Sequence, residues 1–448
     1  MNVSNLDLSF LIKGFQQAVL NIPETRDLNK KIGYSIYELV ASSFAMMYFQ
    51  DPSLDYFQQK MKDSMNKSNL ESMFGIKNIP KAKRIRTFLD QVDPEYFRSA
   101  FTDVLKKIDQ TKNLEQFKYK GKFLCPIDGS QYFKTKSESI SCKHCLVKNH
   151  RNGTKTFSHS VVLPIIAHPD LPHVLPLFPE EIKNEDGTKK QDCEINASKR
   201  LIPKLKQNYP DYEFVILADA LYAKEPFMKL ILEHNYDFAL VVTEKYNKGF
   251  MEEVQRRKNS KRLKSIEFQK NNKKYKYEWG SEIGFKKYGQ TITLNYMGLT
   301  ISNIQSGEQT YKNTWITNID INEDNIHELV SIARSKWKVE NEGFNILKNH
   351  NYEMEHNYGH GKENLAFNNF LLTLLAFLYH QAHELGYKQY KDLRVKKQTK
   401  KNFWDSLKAA TRSILFDSWI DLISLLLEPP NEKLKFDPIT RKLIPIPT

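Results

Sequence analysis

Three acids stand where an acid is hardest to explain as ordinary surface charge. Asp128 closes the apolar run KGKFLCPI just before Gly129, Asp219 closes the run EFVILA, and Glu340 lies in the helical stretch SKWKVENEGFNILKNH. On a helix advancing about 100° per residue, Trp337, Phe344 and Leu347 share a face and Glu340 falls among them; Glu342 is turned away from Trp337 by roughly 140°. A carboxylate on a buried stripe is costly unless neutralised, and three brought together need a counter-charge. Mg²⁺ or Mn²⁺ supplies one through oxygen ligands, and two ions about 3.5–4 Å apart can clamp the attacking and leaving oxygens of an in-line phosphoryl displacement. Each acid also has a plainer reading. Asp before Gly is a common turn residue, Asp219 could cap the next segment, and Glu340 could pair with Lys336 or Lys348.

Cys142-x-x-Cys145 is half of a zinc knuckle. Cys193 with His150 or His159 would complete a four-ligand structural Zn²⁺ site, and free thiols are the alternative. A redox role is disfavoured because the motif does not open a helix after a strand. Cys125, in an apolar strand, reads as core. Past Glu340 come His350, His356 and His360 around Tyr352 and Tyr358. Gly359 and Gly361 argue against a helix there, so His356 and His360 do not form an i,i+4 metal pair. That turn, with His356 and Tyr358, is either a contact surface for a partner or a cap on the Glu340 helix.

The elements that must position these groups change character along the chain. Residues 1–119 read as a helical, DNA-binding domain, with Lys77, Lys81, Lys83, Arg84 and Arg86 forming either a DNA-contacting turn or a solvated helix entrance. Residues 120–243 alternate apolar strands with helical segments and carry Asp128 and Asp219, which predicts an α/β sheet. Residues 244–313 predict a β-rich basic insertion: ten basic residues, Arg256 and Arg257 among them, face one acid, Glu267, between Arg256 and Lys276. Residues 314–382 return to helix and carry Glu340. Residues 383–448 form a basic C-terminal region in which Lys396 and Lys397 belong to seven basic residues between Lys388 and Lys401, with Tyr387 and Tyr390 interleaved. The Pro-rich tail is expected to be extended.

The chain of 448 residues carries 67 Lys+Arg against 53 Asp+Glu, a net charge of +14. That excess favours a polyanionic partner, nucleic acid first and an anionic membrane surface second. No apolar run approaches the roughly 20 residues of a membrane helix, and MNVSNLDLSF lacks the pattern of a secretory signal; a cytosolic protein is expected. Four cysteines do not make a disulfide framework.

IDGSQYF, ILADALYAKEPF and SKWKVENEGFNILKNHNYEMEHNYGHG, the last preceded by WITN, resemble the three catalytic segments of DDE transposases of bacterial insertion sequences. The resemblance runs from about Phe123 to His380 and is to the group whose last segment carries a Tyr, Arg, Glu, Lys signature. It implies a ribonuclease-H-like mixed sheet with flanking helices, interrupted by a β-rich lobe. It also implies cleavage and strand transfer at transposon ends by a metal-bound triad, matched here by Asp128, Asp219 and Glu340, with two Mg²⁺ or Mn²⁺ ions. Double-stranded DNA, as transposon ends and target, is the implied partner, held by a homodimer in the bacterial nucleoid; no membrane and no small-molecule substrate are expected. Lys348 or Arg334 would contact a phosphate near the cut. The signature is shifted: its Arg and Tyr positions hold Lys336 and Ala333, and Lys348 follows Glu340 by eight residues rather than seven. A catalytically silent DNA-binding protein on the same fold, or a metal-dependent nuclease without strand transfer, are the alternatives.

Overall fold

Asp-Gly in the middle of KFLCPIDGSQYFKT predicts the end of a strand, yet the chain passes straight through it. In the computed structural model, which describes residues 5–26, 33–61, 68–184, 191–287, 290–429, 434–437 and 442–445, short β1 (Lys118–Tyr119) leads into a 14-residue strand, β2 (Lys122–Thr135). It stays extended because it has partners on both sides. β4 (Lys155–Ile166) pairs with it antiparallel, placing Leu163 opposite Asp128, and β7 (Phe214–Ala218) pairs with it parallel from Phe123 to Pro126. The parallel neighbour stops just short of Asp128, so the acid sits at a step in the sheet rather than at a turn.

β3 (Leu146–Asn149), β5 (Leu175–Pro176) and β6 (Glu180–Ile182) also pair with β4. On the other side, β8 (Asp237–Val241) runs parallel to β7. The parallel strands need crossovers, which α7 (Glu194–Asn208) and α8 (Glu225–Glu233) supply. After α9 (Glu244–Asn259), the alternating segments form an antiparallel meander of β9 (Lys264–Lys270), β10 (Lys273–Lys287), β11 (Gln290–Asn303) and β12 (Gln309–Thr317). β12 pairs with β8, so the residues expected as an inserted lobe extend the central sheet, whose order is β3-β4-β2-β7-β8-β12-β11-β10-β9.

Both faces of the central strands are covered. Leu124, Val215, Leu217, Met297 and Trp315 bury one face under α10 (Ile326–Arg334). The opposite side, with Phe123, Cys125 and Ile127, joins a continuous core that reaches the helices at both ends of the chain. These are α1 (Leu8–Leu20), α2 (Ile36–Tyr48), α3 (Leu54–Met61), α4 (Asn69–Phe74), α5 (Ala82–Gln91) and α6 (Arg98–Gln110), which gather with the long helix α12 (Leu365–Gly386). No helix among the described residues is long and apolar enough to cross a membrane. In the Pro-rich tail the backbone of Leu434–Asp437 pairs antiparallel with that of Lys442–Pro445; the rest of it lies outside the described residues.

Asp90 joins the N-terminal helices to α12. Its carboxylate accepts backbone N–H bonds from Lys362, Glu363 and Leu365 at 2.9–3.1 Å, the role of an N-cap played by a residue distant in sequence. Gly361 makes this approach possible: it has φ of +71°, and a Cβ there would lie 2.1 Å from Asp90 Oδ1. Asp90→Ala is expected to lower the unfolding free energy by about 1–2 kcal/mol, read as a shifted urea midpoint.

Candidate active site

Strand periodicity places the two aspartates together. Pro126 lies opposite Leu217 in the parallel ladder, so Asp128 and Asp219, each two residues further on, are neighbours. By period two they share the pleat face of Leu124, Val215 and Leu217, the face that α10 covers. β7 ends at Ala218, leaving Asp219 at the strand end as expected. The chain leaving α10 then carries Lys336 and Glu340 across the two strands. Oxygens of Asp128, Asp219 and Glu340 all lie within 4.8 Å of one another.

A cation already occupies this cluster. Lys336 Nζ lies 2.7 Å from Asp219 Oδ2, 3.4 Å from Asp128 Oδ2, and also bonds Glu340 Oε1 one helical turn along. The Lys side chain is only 8% exposed, Asp128 17%, whereas Asp219 and Glu340 are 49% and 53% exposed and open to solvent. The three carboxylates outweigh burial and hold the ammonium pKa above its usual range. At Asp128, burial dominates: helped by the charges of Asp219, Glu194 and Glu340, it outweighs Lys336 and pushes the carboxyl up to about 6 from 3.8. Because the folded value is the higher one, stability from this group is fully present below about pH 4. It is lost as the pH rises through about 6, by on the order of 2–3 kcal/mol. The expected result is a wild-type stability curve that falls over that window relative to Asp128→Asn, in urea titrations without divalent ions.

The expected burial of Glu340 is overturned. Phe344 and Leu347 are buried, but Trp337 is 42% exposed and Glu340 faces out beside it. The reason is a π-helical turn, Val339–Phe344, between α10 and α11 (Asn345–Asn349), which widens the helix by a residue and breaks the 100° spacing. The same extra residue turns Lys348, eight after Glu340, towards the angle that the seventh would take on a regular helix. Glu342 lines a separate cleft of about 400 Å³ with His350, Arg394 and Lys400 and is not part of the triad cluster.

The residues expected to meet DNA are scattered. Arg334 stacks on Tyr311 with its guanidinium 4.8 Å from the ring centre, and Lys348 pairs with Glu355 at 2.9 Å. His356 is exposed, but Tyr358 donates its hydroxyl to Tyr352 O. Arg256 is exposed and pairs with Glu253; Arg257 is spent on Glu253 and the carbonyls of Ser281 and Glu282. On α13 (Lys388–Lys396), Lys396 bonds Leu427 O and Lys397 is half-buried. Tyr387 and Tyr390 are fully buried against His383 and Phe403, so the expected base-stacking aromatics are core. Amphipathic burial along this helix produces the same interleaving as a nucleic-acid surface. A cleft of about 790 Å³ is lined by Lys199, Lys224, Lys248 and Arg256 together with Glu225 and Glu253.

Of the residues offered for the cysteine site, His159 joins the pair and Cys193 and His150 do not; His360, not among them, does. Cys142 and Cys145 meet His159 and His360, whereas Cys193 is exposed at the N-cap of α7 and His150 Nε2 lies 2.7 Å from Thr156 Oγ1. Sequence reading also missed Glu194, whose carboxylate packs where a Cβ of Gly129 would be, 2.3 Å away, and accepts the Tyr222 hydroxyl at 2.6 Å. The glycine itself was the available signal, read as a turn instead of a close approach. Lys336 was legible through its i,i+4 spacing to Glu340, but not its reach to both aspartates.

The α/β domain thus brings three carboxylates together at the step between adjacent parallel strands, a group of residues that could hold a metal ion. The donor set is all oxygen, a chemistry that suits Mg²⁺ or Mn²⁺ rather than Zn²⁺, and the Lys336 ammonium lies at its centre. Residues 189–378 match the family model for the transposase DDE domain, and this match supports a DDE transposase of the insertion-sequence type, a DNA-processing protein. The matched span includes Asp219 and Glu340; Asp128 precedes it. No curated protein matches the chain.

Proposed function

We propose that the chain is the transposase of an insertion sequence, which cuts double-stranded DNA at the element's ends and joins the freed ends to target DNA. The observation that carries this reading is the convergence of Asp128, Asp219 and Glu340 from three separate segments, beside a transposase DDE match. The order β6-β4-β2-β7-β8, antiparallel and then parallel, supports a ribonuclease-H-like core.

Asp128 and Asp219 would hold a divalent cation from the strand side and Glu340 from the helix side. Bound there, Mg²⁺ or Mn²⁺, as a pair in this reading, would supply Lewis-acid polarisation of the phosphodiester and neutralise charge developing on its oxygens. Lys336, displaced from the carboxylates, keeps a positive charge beside the cut strand. The cleft of Lys199, Lys224, Lys248 and Arg256 guides the backbone by charge, and the N-terminal helices, residues 1–119, bind the element's end as a homodimer brings two ends together.

The test is incubation of the full chain with Mg²⁺ and a duplex carrying the element's own terminal repeats. Cleaved and joined products are expected. Cleavage without joined product would select a nuclease, and binding without cleavage a silent DNA-binding protein.

A further inference from the structure

Four side chains from three distant segments meet well away from the acid triad. Cys142 and Cys145 flank a tight turn ahead of β3, closed by the bond from Cys145 N to Cys142 O. His159 is on β4, opposite Phe133, and His360 lies in the turn before α12. Asp128 is five residues along β2 from Phe133, about 17 Å at strand rise, so the two clusters are separate.

Apart from a short contact between the two Nε2 atoms, the distances are those of a metal's ligands. Cys142 and Cys145 sulfurs are 3.8 Å apart, too far for a disulfide, and His159 Nε2 is 3.4 Å from each. His360 Nε2 is 3.4 Å from Cys145 Sγ and 3.0 Å from His159 Nε2. Around zinc, with bonds of about 2.3 Å to sulfur and 2.0–2.1 Å to nitrogen, tetrahedral ligands lie about 3.8 Å apart between sulfurs and about 3.3–3.6 Å otherwise.

The far side of each imidazole decides where its proton sits. His360 Nδ1 faces the Gly361 carbonyl at 2.9 Å, which can only accept. His159 Nδ1 lies 3.2 Å from Glu181 Oε1, a buried carboxylate that also accepts the Tyr132 hydroxyl at 2.6 Å. With Nδ1 of each ring turned to an oxygen, both Nε2 atoms face each other and the two sulfurs, the atoms a metal would take. A cation at their common focus makes that arrangement favourable, and the outer acceptors are of the kind that orient metal-bound histidines.

We propose that Cys142, Cys145, His159 and His360 bind one structural Zn²⁺. All four positions come from the protein and three of the ligands are buried, so the site is closed and holds structure rather than substrate. It pins the chain that returns from the Glu340 helix to the hairpin that follows Asp128. The inference stands on its own geometry and does not depend on the transposase reading.

The test is metal analysis of the full chain purified without chelator. One zinc per chain is expected in wild type, in Asp219→Asn, in Cys193→Ser and in His150→Ala, and background zinc in Cys145→Ser and His360→Ala. Zinc absent from wild type, kept in His360→Ala, or lost in Cys193→Ser would overturn the assignment. Substituted chains could misfold, so Co²⁺ exchange into wild type gives a second reading. Intense visible absorption with a sulfur-to-cobalt charge-transfer band is expected, and a faint six-coordinate spectrum would count against it. Stripping zinc from wild type is expected to lower Tm by roughly 5 °C or more; an unchanged Tm would remove the structural role.

Discussion

Asp219→Asn and Glu340→Gln are each expected to lower Mg²⁺-dependent cleavage by about 10³-fold or more, while duplex binding in gel shifts persists. A hard cation is worth several kcal/mol of transition-state charge stabilisation, and each 1.4 kcal/mol is about a factor of ten. Removing one of the three carboxylates would take away a ligand of the proposed ion that Glu342, which opens into a different cleft, does not replace. Both acids are half exposed, so the isosteric amides should fold and the loss should appear in turnover. Glu342→Gln is the internal control and should remain active. Full activity in either triad variant would sink the assignment; activity lost in Glu342→Gln but kept in Glu340→Gln would move the third acid.

Lys336→Met is expected to destabilise the chain without divalent ions and to recover with them. The ammonium touches all three carboxylates and is nearly buried, so its removal leaves a cluster of like charges at close range. Breaking a fully buried pair costs about 3–5 kcal/mol; with two of the acids half in water, about 1–2 kcal/mol is expected here. Met keeps the apolar stem, so little of the change comes from packing. Urea midpoints with and without Mg²⁺ measure it, and the deficit should shrink as the ion replaces the lost charge. An unchanged midpoint in the absence of Mg²⁺ would show that the lysine does not hold the triad. At saturating Mg²⁺ a remaining loss of cleavage would report a contact with the cut strand.

Much of the architecture was legible because the signals are local. The apolar runs before Asp128 and Asp219, the amphipathic pattern of α7, and the apolar stretch from Leu365 each became the expected element, since side-chain periodicity of two or 3.6 residues is set by the backbone itself. Where two structures share one local pattern, the reading failed. Tyr387 and Tyr390 between lysines suit a base-stacking surface and a buried helix face equally, and burial against His383 and Phe403 decided it. Asp128-Gly129 suits a turn, until strands on both sides and the Glu194 carboxylate against Gly129 make it continuous strand.

By itself the sequence determined which residue types were at hand: three acids on apolar segments, a Cys-x-x-Cys pair, and a strongly basic chain. Tertiary structure alone decided which of them meet. Strand register set Asp128 beside Asp219, and a π-helical turn brought out Glu340 with Lys336 among the three acids. Between the two histidines the sequence offered, β4 brought His159 to the cysteines, and the chain return after the Glu340 helix added His360 where Cys193 had been expected. Ligand geometry depends on distances through space, and spacing along the chain constrains those only within one helix or one turn.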